Sequence, residues 1–394
     1  MRNSTVRAVN RLTQRWAEQA ATGNAGTVFT AAGVWPLLAL LADGAGGPAR
    51  AELAEALGMP AGAAAGAARE LLGALGDVRG LQSATGLWAK ADVRLEEGWS
   101  AKLPAGTRGT LSGDPDADGK ALDAWAGERT GGLIERMPVV LDHETRLVLA
   151  SALALRLRWI KPFYDWPCEL EQGPWADRTV CVLSRSTSLL DRVTVAHGPA
   201  GAVTLLEVVG DTGVDVHLVL GEPGTLPGQV LTTGIDVVTR ALPATGASLL
   251  PDGNPGPGLH IGSASSTVRV PRLDIRAVAF DIRAEHDLLD HAGLFGLATA
   301  SERSTGHFPG VSAEPLAIGS ARQSALARFH AEGFEAAAVT AMAAAVGCAP
   351  PSKTYRVRRA EVRFDRPFGF LAVHRTSRLV LAAGWVNEPA MVTE

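Results

Sequence analysis

Residues 333–351 read Gly-Phe-Glu-Ala-Ala-Ala-Val-Thr-Ala-Met-Ala-Ala-Ala-Val-Gly-Cys-Ala-Pro-Pro. No charge occurs from Ala336 to Pro351, and no proline from Glu332 to Ala349. Alanine has the best helix propensity, so one reading of this run is a helix. The other is a loop of small side chains that can slip between two strands as an additional strand. Such a strand is covered on both faces, where bulky or charged side chains are expensive. The composition of the run leaves both readings open.

Working outward, Leu147 to Leu157 is long, apolar and uncharged until Arg156, which predicts a central strand buried on both faces. Helical apolar spacing marks Asn10–Ala20 and Val34–Ala42, and Pro48–Leu57 reads as a helix entered through proline. Leu81–Lys90 reads as a strand, Glu96–Leu103 as a short helix, and Leu122–Arg129 as a helix ended by Gly131 and Gly132. Beyond Val180 strand signals dominate: Val203–Val209, Val214–Leu220 and Thr267–Val270. Leu250–Leu259 is predicted as a loop, Asp287–Gly293 as a short helix, and Pro367–Val373 with Leu379–Val386 as a hairpin. Helices early, strands late and no alternating pattern predict an α+β fold with a large, mostly antiparallel sheet system, in a chain long enough for one large domain or two smaller ones.

The chain has 394 residues, 46% of them hydrophobic, and a formal net charge of -4, which argues against a nucleic-acid surface. No run of about 18 apolar residues exists to span a membrane. The arginines of the first sixteen residues precede no apolar signal region, so the cytoplasm is the default compartment, with secretion left open. Cys168, Cys181 and Cys348 are too few and scattered for a disulfide framework or a zinc site. Gly44-Ala45-Gly46-Gly47-Pro48-Ala49 has the spacing of a dinucleotide fingerprint but follows a helical segment, not a strand. His286 and His291, on one predicted helix, are about 140° apart, a poor pair of metal ligands. No cofactor, metal or catalytic residue is expected.

Several segments, in order along the chain, resemble the serpin family. Leu122-Asp123-Ala124-Trp125 with Thr130-Gly131-Gly132-Leu133-Ile134 is similar to the family's helix exit. Asp142-His143-Glu144-Thr145 leading through Trp159 to Lys161-Pro162-Phe163 is similar to its long central strand. Val270-Pro271-Arg272-Leu273, Phe308-Pro309-Gly310-Val311, Arg366-Pro367-Phe368-Gly369-Phe370 and Gly384-Trp385-Val386-Asn387-Glu388-Pro389 match further family segments. Glu332-Gly333-Phe334-Glu335-Ala336-Ala337-Ala338-Val339-Thr340 resembles the family's hinge. The GC-rich character of the composition points to a bacterial-type member.

The resemblance implies a serpin fold in a single domain over 1–394: a large, mostly antiparallel central sheet, two further sheets, about eight or nine helices, and an exposed reactive-centre loop over about 332–358. It also implies a monomeric suicide inhibitor of a serine or cysteine protease. The protease cuts the loop, forms an acyl-enzyme and is trapped as the cut loop enters the sheet. Counting forward from the hinge puts the scissile bond near Gly347–Cys348, which suits an elastase- or subtilisin-like enzyme. Counting back from Pro367-Phe368 gives Arg356–Val357, which suits a trypsin-like one; the forward count is preferred, because hinge distance sets how much strand can insert. Departures also occur. Phe334 stands where the family favours threonine or serine, and Ala331 replaces the usual glutamate. The sheet-opening positions read Thr30, Gly33, Ser151 and Gln323, beside Trp159. These departures keep a second expectation alive, a non-inhibitory serpin-fold protein used for binding or another activity.

Overall fold

The computed structural model describes residues 1–20, 26–303, 305–334 and 354–391. Its main sheet contains β1 (Leu81–Lys90), β2 (Arg108–Leu111), β3 (Leu147–Leu155), β4 (Leu157–Arg158), β5 (Phe280–Asp287), β6 (Ser320–Phe329) and β7 (Gly333–Phe334). β1 runs antiparallel to β3, and β3 runs parallel to β6 from Val148↔Ser320 to Leu153↔Ala325. β5 covers the other side of β6. Every residue of β3 is buried, as its unbroken apolar run predicts.

A second sheet of seven antiparallel strands is built around Gly201–Val209, Val214–Gly221, Phe368–His374 and Val380–Val386. A third, of six strands, contains Thr179–Thr187, Leu259–Ser266, Arg272–Val278 and Tyr355–Arg363. Eight α-helices occur among the described residues. The helix Ala31–Gly44 is buried along nearly its whole length. Thr30 caps it, its hydroxyl accepting from the Gly33 N–H at 3.2 Å. The helix Asn3–Ala20 is fixed to the second sheet by Asn10, whose amide donates to the Arg378 carbonyl and accepts from the Val380 N–H, both at 2.9 Å.

The structure corrects several sequence expectations. Thr267–Val270 is not a strand: Val268 and Val270 are exposed, and pairing begins only at Arg272, past Pro271. Leu250–Leu259 is not all loop, since Gly253–Gly256 pairs with Leu259–Ser266. The predicted helix Asp287–Gly293 is a strand end followed by the helix Ala292–Phe295. His286 therefore lies in β5 and does not share a helix with His291. Cys168 and Cys181 sit opposite Val180 and Pro167, on opposite faces of neighbouring strands, and both are free.

Candidate functional site

Two clusters hold the junction of β3 and β6. In the lower one, Ser151 of β3 and Gln323 of β6 are direct register partners. The Gln323 side chain is fully buried; its Oε1 accepts from the Thr30 N–H at 2.8 Å and its Nε2 donates to the Thr30 carbonyl at 2.9 Å. Gly33 belongs to the same cluster, because a Cβ there would stand 2.5 Å from Ser151 Oγ. Ser151 Oγ has no hydrogen-bond partner among the described residues. Thus Thr30, Gly33, Ser151 and Gln323, expected together from sequence, are together. The amide of Gln323 ties the strand to the cap of the buried helix.

A residue outside the expected set, His286, pairs with Gln323 from the β5 side. Its Nε2 lies 2.9 Å from the Val28 carbonyl, and a carbonyl only accepts, so that nitrogen carries the proton. Its ring stands edge-on to Trp16 at 5.2 Å. Sequence reasoning set His286 on a helix and so missed it; the period-two alternation across 280–287 was the available signal.

The upper cluster surrounds the turn after β6. After β6 the chain turns tightly at Ala331 and Glu332, with the His330 N–H donating to the Gly333 carbonyl at 3.0 Å. Gly333 and Phe334 then run back as β7, antiparallel to both β6 and β4. Continued without interruption, the parallel register of β3 and β6 would set Phe329 opposite Leu157. Phe334 lies between these two residues and pairs with each. Gly333 makes the approach feasible, since a Cβ there would come within 2.2 Å of the Leu157 carbonyl oxygen.

Phe334 is 1% exposed, so the space that its bulk demands exists. Its ring lies 6.1 Å from Phe370; Phe370 is 5.0 Å from Phe280, which stacks on Phe329 at 5.4 Å. The buried Trp159 holds the turn. Its N–H donates to the Glu332 carbonyl at 3.0 Å and its Nε1–H to the His330 carbonyl at 2.8 Å. The Ala331 carbonyl accepts from the Phe163 N–H at 2.9 Å. Ala331 itself is buried, a site where the charge of a glutamate would be costly.

Glu335, Ala336, Ala337, Ala338, Val339, Thr340, Gly347 and Cys348 lie outside the described residues. Arg356 and Val357 belong to the strand Tyr355–Arg363, paired with Ser265 and Ala264. Val357 is buried.

Burial holds the imidazoles of His286 and His330 below the usual histidine range. Burial is the leading cause in both, opposed at His286 by its bond to Val28 and at His330 by the nearby carboxylate of Asp281. His291 further disfavours a charge on His286, and Arg328 on His330.

A family model described as Serpin (serine protease inhibitor) matches residues 6–168 and 263–389, most of the chain. No curated protein matches. Among solved structures, human thyroxine-binding globulin complexed with thyroxine is similar with a TM-score of 0.73 at 16% identity, covering 98% of each chain. Native protease nexin-1 with heparin gives the same TM-score, identity and coverage. Serpin48, a highly specific serpin of the insect Tenebrio molitor, gives a TM-score of 0.71 at 20% identity, again covering 98% of each chain. At such identities these likenesses establish the fold.

Two outcomes follow from this geometry. Gln323→Leu strands the buried N–H and carbonyl of Thr30 and is expected to lower the free energy of unfolding in urea by roughly 1–3 kcal/mol; an unchanged midpoint contradicts the tether. The unfolded chain takes up protons on His286 and His330 before the folded one does. Their contribution to stability is therefore complete above about pH 6.5 and falls as pH drops below it. Urea midpoints measured from pH 7.5 to 5.5 are expected to decline, and to decline less in His286→Gln.

Proposed function

The chain belongs to the serpin family, and we propose that it is a monomeric suicide inhibitor of a serine or cysteine protease. The observation that carries this reading is the seat of Phe334. The family-atypical phenylalanine is the residue that most opposes loop entry on steric grounds, since overpacking a core costs about 1–3 kcal/mol. It is already buried between β6 and β4, antiparallel to both. A strand prolonged in that direction would run along the junction of β3 and β6.

In this account the protease supplies the nucleophile and the inhibitor supplies only a cleavable segment and a sheet. Once the segment is cut, residues after Phe334 enter between β3 and β6. That entry breaks the pairing from Val148↔Ser320 to Leu153↔Ala325 and replaces one parallel contact by two antiparallel ones, which are somewhat more stable per residue. It also displaces or rearranges the Gln323–Thr30 tether. The run Ala336–Ala338 and Ala343–Ala345 carries side chains small enough for a strand covered on both faces.

The forward count places the scissile bond at Gly347–Cys348 and the target among elastase- or subtilisin-like enzymes. Arg356–Val357 is the weaker choice, because cutting there requires peeling a paired strand whose Val357 side chain is buried. A second reading, a binding protein on a serpin fold, is favoured by the fold shared with thyroxine-binding globulin and by the unpartnered Ser151 hydroxyl at the opening point.

Thermal unfolding before and after limited cleavage within 335–353, with the cut mapped by mass spectrometry, separates the two. Inhibition predicts a midpoint rise far beyond the about 2–4 °C that 1 kcal/mol produces. An unchanged midpoint, with no stable covalent complex with an elastase- or subtilisin-like protease, selects the binding protein.

A further inference from the structure

A groove of about 450 Å³ runs across the outer face of the third sheet. Four strands supply its floor: Tyr164–Glu169, Thr179–Thr187, Arg272–Val278 and Tyr355–Arg363. Strand alternation buries Leu273, Ile275 and Ala277 and turns Arg272, Asp274 and Arg276 to the groove. In the same way Ala360 and Val362 are buried, while Arg359, Glu361 and Arg363 line it. The parallel register sets Arg272 opposite Arg359, Asp274 opposite Glu361 and Arg276 opposite Arg363. The two strands thus present three rows of like charge, positive, negative and positive.

The first two rows satisfy one another. Asp274 accepts from Arg272 at 2.6 Å, from Arg359 at 2.7 Å and from the Ser186 hydroxyl. Glu361 accepts from Arg359 at 2.6 Å. The third row is left over. Arg363 makes only a long contact, 3.5 Å, to Glu361, and Arg276 has no carboxylate partner among the described residues. The Arg276 guanidinium lies over the Trp166 ring at 5.9 Å, which does not neutralise it. Like charges directly opposite each other destabilise a sheet, so sheet stability gives no reason to set Arg276 against Arg363.

The third row continues past the two arginines. Arg276 pairs with Ser184, and Ser184 with Tyr164 of the edge strand. Neither hydroxyl has a hydrogen-bond partner among the described residues. Tyr164 is 66% exposed, and Trp166 stands two residues along on the same face. Lys161, just before the edge strand, also lines the groove; its ammonium donates to the Ser186 carbonyl and meets no carboxylate among the described residues. Uncompensated cations, free hydroxyls and aromatic surface therefore converge over Ser184.

We propose that this groove binds a small phosphate monoester. The dianionic phosphate sits between Arg276 and Arg363 over the Ser184 hydroxyl, where guanidinium forks match its oxygens. The organic body lies on Tyr164 and Trp166, and Lys161 adds positive charge at the rim. The site does not depend on whether the chain inhibits a protease.

The test is calorimetric titration of the intact protein with phenyl phosphate at low ionic strength, where exposed cations are least screened. A pH of about 8 keeps the phosphate doubly charged, since its second proton leaves near pH 6. The expected result is saturable 1:1 binding, about tenfold weaker for singly charged phenyl sulfate and for Arg276→Gln, the loss of one charge-assisted contact. Tyr164→Ala weakens phenyl phosphate but not inorganic phosphate, and Arg7→Gln, an exposed change on the first helix, weakens neither. The urea midpoint of Arg276→Gln stays at or above that of the parent, because repulsion with Arg363 is relieved. Absence of saturable binding overturns the proposal, as does binding that Arg276→Gln leaves unchanged or Arg7→Gln weakens equally. A lowered midpoint in Arg276→Gln would also overturn it, by giving the arginine a purely structural role.

Discussion

The two central strands of the main sheet share a parallel register that stops short of their ends. β3 and β6 pair as far as Leu153 and Ala325. Four residues further along each strand, where Leu157 and Phe329 should meet, Phe334 stands between them. A sheet split at one end and closed at the other has an edge ready to receive more strand, and its direction is already set. Unpaired strand edges buried in a protein are costly, so the split persists only because β7 satisfies both sides.

Other groups fix β6 and the turn that follows it. Gln323 uses both ends of its amide on Thr30, in a fully buried setting where leaving either backbone group unpaired costs about 1–3 kcal/mol. Trp159 and Phe163 hold three successive carbonyls of the turn, those of His330, Ala331 and Glu332. The aromatic group of Phe280, Phe329, Phe334 and Phe370 anchors β7 from beneath. In the proposed insertion, opening of the junction past Phe334 would disturb the Gln323–Thr30 tether that fixes β6 to the buried helix.

Much of this architecture was legible in the sequence. The β1 boundaries, the buried course of β3 and the C-terminal hairpin follow from apolar patterning, and Gly131 and Gly132 adopt the positive φ that ends a helix. The grouping of Thr30, Gly33, Ser151 and Gln323 came from the family resemblance. Phe334 was harder: its bulk argued against burial, and only the folded sheet brings Phe280, Phe329 and Phe370 from three distant strands to receive it. His286 was lost for a local reason. Clustered polar residues at 285–291 imitate a helix face, whereas pairing with β6 imposes the strand. Thr267–Val270 has strand composition but no neighbour to pair with, so propensity without tertiary support fails there.

The central claim is that Phe334 is seated in the sheet before any cleavage. Its most direct test is thiol labelling of uncut Phe334→Cys, with Cys168, Cys181 and Cys348 replaced by serine, compared with Arg356→Cys in the same background. The account predicts that the thiol at 334 reacts far more slowly than the exposed one at 356 and is released only by denaturant. Equal rapid labelling at both positions would mean that β7 does not occupy the split, and the account of a sheet already opened at its top would be wrong.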